Sequence, residues 1–393
     1  VYTEPLQRAT VQIESFLNRI FSQRYNPFYY HGALPNFFIW SLFLSGLLLF
    51  AYYQPTLANA YASVRYITYE LPFGNLFRSF HRYASDGMMI FVILHMLRVW
   101  FTDRYREYRI VPWITGVVLL VITFIIGLSG YLMIWDQQAV ALANITFNLL
   151  KQVPLIGSSL AEFLMAGKVL TDYTLTRFMF LHLGIPLLMM FMLWLHYLRI
   201  TRPVSEPPLA LVLLMGGALY LFSAAFPVGL DNLPDTVSAV ASPVLAGLGA
   251  LPASIDFDLL YAWPQYLTVR GLSPLLVILL VSAVPIGMLL LPYIQKKSFR
   301  DQYAQVVKDN CTGCSLCYND CPYEAITMVD RKDGSRFKRL AVVDAGRCAN
   351  CGLCVGACAF KAIEIPRRES ASVLTEIEAA ILSSASFPEA SAS

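Results

Sequence analysis

Four of the five histidines in this chain form two pairs, His81 with His95 and His182 with His196, each at a fourteen-residue interval inside an apolar stretch. An α-helix turns about 100° per residue, so fourteen positions return a side chain to within roughly 40° of the same face. The rise over that interval is about 21 Å, most of a hydrocarbon core of roughly 30 Å. Two facing helices of this kind hold two stacked sites, each with one imidazole from either side. A flat macrocycle with two axial histidines, haem, fits such sites. His31 has no partner at that spacing. It reads as a surface or interfacial histidine, with contact to a quinone or an extra cofactor as the sharper alternative.

All eight cysteines lie between Cys311 and Cys358, in the runs Cys311-x2-Cys314-x2-Cys317-x3-Cys321-Pro322 and Cys348-x2-Cys351-x2-Cys354-x3-Cys358. Such spacing lets a short loop wrap a metal cluster with its amides aimed at sulfur. It is the run of the bacterial two-cluster ferredoxins, in which the fourth cysteine of each motif ligates the other cluster. One [4Fe-4S] cubane then takes Cys311, Cys314, Cys317 and Cys358; the other takes Cys348, Cys351, Cys354 and Cys321. Ala359 stands where proline usually follows the second run. A pair of structural zinc sites is the competing reading. The apolar part of the chain has no thiol, and C-x-x-C-H is absent, so no disulfide or covalent haem attachment is available there. Clustered cysteines at metal-ligand spacing point to a reducing compartment.

The 393 residues are 57% hydrophobic and 14% charged, with a mean hydropathy of +0.55, whereas a soluble chain carries about a quarter charged residues. This is the composition of a multi-pass membrane protein with a polar module attached. A net charge of +3 is too small to suggest nucleic acid as a partner. No cleavable secretion signal is visible, and residues 7–24 read as a polar, amphipathic segment. Apolar runs long enough to span a bilayer occur at 35–55, 84–101, 112–134, 178–200, 207–228 and 272–294, with Pro207, Pro208 and Pro227 crowding the fifth. Residues 135–176 contain short amphipathic pieces suited to a membrane surface, as does the stretch 227–270.

Basic residues orient these spans. Arg8, Arg19 and Arg24, then Arg104, Arg106 and Arg109, then Arg199 and Arg202, then Lys296, Lys297 and Arg300 fall on one side of a six-span arrangement. That side is cytoplasmic by the positive-inside rule. The loop 227–268 has no Lys or Arg, while Arg65, Arg78 and Arg82 break the pattern on the outer side. The polar module then emerges in the cytoplasm, where its thiols stay reduced. Within it Asp333-Gly334 marks a hairpin between two alternating runs. The organisation expected is an N-terminal segment 1–34, a four-helix bundle 35–205, two further helices with a long outer loop 206–298, a ferredoxin domain 299–366 and a polar tail 367–393.

The residues around the histidines resemble the cytochrome b/b6 family. His81-Arg82-Tyr83-Ala84-Ser85 through His95-Met96-Leu97-Arg98-Val99 is similar to that family's second helix, preceded by Ala60-Tyr61-Ala62-Ser63-Val64 and Phe73-Gly74. Pro112-Trp113-Ile114-Thr115-Gly116 and Gly127-Leu128-Ser129-Gly130-Tyr131, ending in Trp135-Asp136-Gln137, resemble the third helix. Pro154-Leu155-Ile156-Gly157-Ser158 and Thr174-Leu175-Thr176-Arg177-Phe178 resemble the approach to the fourth. The likeness is dense from about residue 20 to 205.

The resemblance implies a polytopic α-helical membrane protein of about six spans: a di-haem four-helix bundle plus two helices, with a small α+β ferredoxin-like domain at the C-terminus. His81 and His182 would ligate an outer b-type haem, and His95 and His196 an inner one. Gly46, Gly116 and Gly130 would let the macrocycles lie against helix backbone, ordinary helix–helix contact being the alternative. Arg78, Arg82, Arg98 and Arg177 are candidates to neutralise haem propionates, with snorkelling to headgroups as the alternative for Arg82. In the b6 branch a cysteine anchors a third haem covalently; Tyr30 stands at that position, which excludes the thioether.

Likeness is weaker beyond residue 206, where Val284-Pro285-Ile286-Gly287 through Leu291-Pro292 matches a sixth helix. The family carries a Pro-Glu-Trp-Tyr signature whose glutamate serves an outer quinol-oxidation site. Here the region reads Asp258-Leu259-Leu260-Tyr261-Ala262-Trp263-Pro264, without that glutamate. Asp256 or Asp258 could supply a carboxylate, although either reads first as a solvated loop charge.

The function expected is that of a membrane electron-transfer subunit joining a cytoplasmic redox partner, two [4Fe-4S] clusters, two b haems and the quinone pool. A cytoplasmic flavoprotein or iron–sulfur protein is the expected partner, and the family implies a homodimer in a bacterial or archaeal cytoplasmic membrane. Arg199, Arg202 and Glu206 are the candidates for an inner quinone site; Asp256, Asp258 and Tyr261 are those for an outer one. Two other readings stand beside it. One is quinol oxidation at a modified outer site, with a cytochrome c or Rieske-like partner outside. The other is an electron-wiring anchor with no quinone site of its own.

Overall fold

The computed structural model describes residues 25–101, 105, 109–167, 170–198, 206–232, 258–294, 303–321, 325–345, 348 and 353–365, with scattered positions between 9 and 21. Arg8, Arg24, Arg104, Arg106, Arg199, Arg202, Asp256, Lys296, Lys297, Arg300, Cys351 and the tail 367–393 lie outside the described residues. The chain divides into two units, one from residues 1–105 and 109–292, the other from 106–108 and 293–393.

The first unit is helical: α1 (Leu34–Phe50), α2 (Ala60–Tyr69), α3 (Gly74–Phe101), α4 (Ile110–Ile134), α5 (Gln137–Lys151), α6 (Gly157–Met165), α7 (Asp172–Leu198), α8 (Leu209–Ala225), α9 (Trp263–Val269) and α10 (Pro274–Ile294). Four of these, α3, α4, α7 and α10, are long and apolar enough to cross a membrane. Helices α1 and α8 are apolar but only 17 residues each, about 25 Å. The expected spans 35–55 and 207–228 are therefore too long. The helix of the first ends well before Pro55, and that of the fifth is confined between Pro208 and Pro227. Proline removes an amide donor and forces the preceding residue out of helical geometry. The second and fourth spans err in the other direction, for α3 begins at Gly74 and α7 at Asp172. At 28 and 27 residues each is about 40 Å long, more than a hydrocarbon core needs.

Within the bundle α1 packs most extensively on α3, and α4 on α7. Phe38, Met88, Ile122, Met189 and Leu219 meet at its centre, drawn from α1, α3, α4, α7 and α8. Large apolar side chains also point outward, including Leu44, Leu47, Phe180, Leu187, Phe191, Leu279 and Ile286. Helices apolar on all sides, with the outer side chains uncovered, suit a lipid solvent. After α4 the chain turns sharply: Trp135 is left-handed at φ 60°, and the Asp136 carboxylate caps α5 by accepting the Ala139 N–H at 2.8 Å. Burial raises the Asp136 carboxyl pKa above its ordinary value. Phe147 of α5 stacks on Phe178 of α7 at 5.9 Å, and Met165 of α6 joins the same core. The stretch 135–176 thus docks its apolar faces on the bundle.

The second unit contains two antiparallel ribbons, β1 (Gln305–Val306) with β4 (Ile363–Glu364) and β2 (Ile326–Asp330) with β3 (Arg339–Val343). Short helices α11 (Leu316–Asn319) and α12 (Leu353–Ala357) each follow cysteines of one run. The β2–β3 register runs from Ile326 opposite Val343 to Asp330 opposite Arg339. Its connection carries Gly334 at φ +74°, a left-handed position that glycine adopts without strain. Arg331 grips Asp333 and donates to the Cys311 carbonyl at 2.8 Å, tying the hairpin to the first cysteine run. That guanidinium holds the Asp333 carboxyl down at about 2.

Candidate cofactor-binding site

The four spaced histidines lie on two helices, His81 and His95 on α3, His182 and His196 on α7. The ring centroids of His81 and His182 are 6.3 Å apart. Two imidazoles bonded at about 2 Å to one metal ion place their centroids roughly 6 Å apart, so this pair has the separation of two axial ligands.

A single local device orients three of the rings. The Nδ1 of His81 meets Ser45 Oγ at 2.9 Å, that of His196 meets Thr115 Oγ1 at 2.9 Å, and that of His182 meets Ser129 Oγ at 3.0 Å. Each hydroxyl already donates within its own helix, Ser45 to the Ser41 carbonyl, Thr115 to Val111 and Ser129 to Ile126. The oxygen is therefore left to accept, and the histidine proton sits on Nδ1. Nε2 then keeps its lone pair, the state a metal ligand requires.

A glycine follows each of these hydroxyl residues and backs the same ring. A Cβ added at Gly46 would stand 3.2 Å from His81 Cε1, at Gly116 3.4 Å from His196 Cε1, and at Gly130 2.9 Å from His182 Cε1. The fourth ring, His95, is backed by Gly32, where a Cβ would stand 3.0 Å from its Cε1. Gly32 was not among the sequence candidates. Its interval to Gly46 equals that from Gly116 to Gly130, and this regularity could have found it. Glycine leaves room for the imidazoles and for a flat group between the helix pairs, so the residues present fit haem. Gly130→Val should overpack the His182 contact at a cost of roughly 1–3 kcal/mol and lower bound haem, read as the haem-to-protein ratio of the purified chain. An unchanged ratio would show that the cradle is not needed.

The arginines are less uniform than the sequence suggests. Arg78 is buried and donates to Thr68 Oγ1 and to the carbonyls of Val228 and Gly229, at 3.0–3.2 Å. Arg82 forms ion pairs with Asp86 and Asp258 and a hydrogen bond to Tyr131. In this structure the charges of Arg78 and Arg82 are thus engaged by the protein itself. Arg98 donates to the Phe28 carbonyl at 3.2 Å and lies over the Phe28 ring, and Arg177 lies over the Phe163 ring.

Asp258 corrects the expectation of a solvated loop charge. Its side chain is only 11% exposed. Oδ2 accepts the Tyr131 hydroxyl at 2.6 Å, and Oδ1 accepts the Leu260 N–H at 2.7 Å. Tyr261 is fully buried, donates to the Ser85 carbonyl at 2.8 Å and packs its ring on Gly127. Burial pushes its phenol pKa up. Glu206 is exposed at the end of a described segment.

In the second unit Cys311, Cys314, Cys317 and Cys358 line one cavity with Met328, Phe360 and Ile363. The fourth member comes from the other cysteine run, the crossed set that a two-cluster arrangement needs. Among the described residues no three His, Cys, Asp or Glu side chains converge on a single-ion position. The Ala325 N–H donates to Cys321 Sγ at 3.3 Å, and the Ala362 N–H to Cys358 Sγ at 3.2 Å. The last cysteine of each run is thus held by the amide four residues on. Gly313, at φ +73°, passes so close to Arg339 that a Cβ would stand 2.6 Å from its carbonyl oxygen.

Comparison with known proteins agrees with this geometry. Residues 16–203 match the family described as Cytochrome b/b6/petB, and residues 310–362 match the 4Fe-4S dicluster domain. The cytochrome b6 of Synechococcus elongatus is 36% identical over 185 residues, 47% of this chain and 86% of that protein. The cytochrome b6 of the alga Gracilaria tenuistipitata var. liui is 38% identical over 166 residues, 42% of this chain and 77% of its own length. A solved structure described as a hyperthermophilic respiratory Complex III shares the fold, with a TM-score of 0.52 and 24% identity over 68% of this chain and 75% of that one. The anchored histidines and their glycines fall inside the matched region, and the chain belongs to the cytochrome b/b6 family, with a 4Fe-4S dicluster domain following it.

Proposed function

We propose that this chain links the quinone pool to a redox partner on the cytoplasmic side of the membrane. It would hold two b haems on His81 with His182 and on His95 with His196. It would hold two [4Fe-4S] clusters on Cys311, Cys314, Cys317 and Cys358 and on Cys348, Cys351, Cys354 and Cys321. Membership of the family and the 4Fe-4S domain make it a membrane electron-transfer subunit of a redox complex. When bound, the haems and clusters supply one-electron chemistry; the protein supplies position, exclusion of water and electrostatics. The observation that carries the reading is the anchoring of the His81 and His182 Nδ1 atoms, which leaves each Nε2 its lone pair in two rings whose centroids are 6.3 Å apart.

Ser45, Thr115 and Ser129 hold the rings upright, and Gly32, Gly46, Gly116 and Gly130 keep the space beside them open. In the second unit the Ala325 and Ala362 amides stabilise negative charge on Cys321 and Cys358. The basic residues of the loops support a cytoplasmic side for the ferredoxin unit, and Arg199, Arg202 and Glu206 are our candidates for an inner quinone site. Partner subunits, a homodimeric state and the domain limits 35–205, 206–298 and 299–366 belong to the same proposal.

Quinol oxidation at the outer end is the second reading. The committed partners of Asp258 and the packing of Tyr261 on Gly127 support the first reading over it. The test is a spectroscopic redox titration of the purified complex, followed by addition of a menaquinol analogue. Two b haems, two cubanes and inhibitor-sensitive haem reduction from the cytoplasmic side are expected. Zinc in place of iron, or haem reduction insensitive to every quinone-site inhibitor, would overturn the proposal.

A further inference from the structure

His31 stands in the inner site where the other three histidines have a hydroxyl. Its Nδ1 is 3.4 Å from the Nδ1 of His95, and the two rings meet edge-on with centroids 5.1 Å apart. His31 is 5% exposed, and Gly32, which follows it, backs the same ring. Ser45-Gly46, Thr115-Gly116 and Ser129-Gly130 stand in the same relation to His81, His196 and His182. The intervals from 31 to 45 and from 115 to 129 are both fourteen residues, so His31 occupies the fourth position of one repeated pattern.

The backbone pattern differs at this position too. For His81, His182 and His196 the carbonyl three residues before the hydroxyl residue also faces the ring, from Leu42, Ile126 and Pro112 respectively. The equivalent carbonyl for His95 is that of Phe28, and it accepts from Arg98. Arg98 Nη1 also lies 3.4 Å from His31 Nε2.

We propose that His31 is a positioning residue for the inner site: its Nδ1 accepts the Nδ1–H of His95 and fixes that ring as the hydroxyls fix the others. A neutral imidazole has one acceptor nitrogen, so His31 cannot accept from His95 and Arg98 together. When His95 Nε2 is on iron, its remaining proton is on Nδ1, and His31 must turn its lone pair there. Arg98 then gives up the Nε2 contact. An imidazole nitrogen is a stronger acceptor than a hydroxyl oxygen, and it makes the ligand beyond it more basic. Ligand basicity lowers the reduction potential of the haem it holds, so this contact sets the inner haem apart from the outer one.

The inference rests on His95 being an axial ligand. The experiment is an optical and EPR redox titration of the full chain as wild type, His31→Leu, His31→Asn and, as a control on the other site, Ser45→Ala. His31→Leu should shift one midpoint upward and move that haem's low-spin EPR signal, leaving the other haem untouched. His31→Asn, whose amide oxygen can accept, should bring both readouts back toward wild type, and Ser45→Ala should move the other haem instead. If His31→Leu loses the inner haem, retention of that haem in His31→Asn supports the proposal, and its loss there overturns it. Equal shifts of both haems, no shift at all, or identical Leu and Asn variants also overturn it. A wild-type chain without two bis-histidine haems would instead defeat the ligand assignment on which the inference stands.

Discussion

His182→Leu should cost the chain one of its two b haems while leaving it folded. Leucine conserves most of the ring's volume, so no large cavity opens beside α4. Ser129 loses the imidazole but keeps its hydrogen bond to the Ile126 carbonyl at 2.7 Å, so no buried donor is stranded. What is lost is one of two nitrogens spaced for a single iron. The haem-to-protein ratio should fall by half, with one low-spin EPR signal gone and the other intact. His196→Leu should remove the complementary signal, and the double variant should remove both. Retention of two low-spin haems in His182→Leu would show that the pairing of His81 with His182 is wrong.

Cys317→Ser should have a wider effect, removing one cluster and much of the order of the second unit. The buried core of that unit has eleven residues, four of which are cysteines, with alanines and isoleucines making up the rest. Large side chains such as Tyr303, Met328 and Leu340 pack against this core only partly buried, so bound iron and sulfide would form part of its filling. Burial pushes the Cys317 thiol up to about 11, helped by its neighbours Cys358, Cys311 and Cys314. Cluster ligands bind as thiolates, so iron binding would release the Cys317 proton. Serine offers a harder, less acidic ligand and fails at this step. We expect iron per chain to fall to that of a single cluster and protease sensitivity to rise between residues 303 and 365, with haem content unchanged. A variant that keeps both cluster signals and native protease resistance would remove Cys317 from the ligand set.

Much of this was legible from spacing alone. The histidine interval implied two sites on each of two helices by helix geometry, and the cysteine runs implied crossed ligation by their likeness to two-cluster ferredoxins. Asp333-Gly334 marked the hairpin because a left-handed turn position demands glycine there. Helix ends were harder to read. Apolar composition continues past Phe50 and past Ala225, and only the prolines nearby show where helical geometry stops. At the other extreme, polar Asn75, Arg78 and Arg82 disguised the first three turns of α3. The environment of Asp258 was illegible because its partners Arg82 and Tyr131 are more than a hundred positions away in sequence. His31 was misread for a related reason. Its relation to His95 emerges only when α1 is laid antiparallel on α3, so that residue 31 meets 95 as 45 meets 81.

The shared interval has a mechanical meaning as well. Fourteen residues make two heptads, and a straight α-helix drifts about 20° per heptad from such a repeat. A left-handed winding of the helices around one another would take up that drift. The pairs 81 and 95, 115 and 129, and 182 and 196 each lie within one helix, so their spacing encodes a shared facing along with a set of contacts. One residue inserted between the members of any pair rotates everything beyond it by about 100° and takes one imidazole or its anchor out of register. Four residues are the smallest insertion that restores both facings, since about eighteen residues make five full turns, and they lengthen the gap by about 6 Å. Chain length between paired positions thus acts as a ruler, holding the two sites roughly 21 Å apart along the bundle.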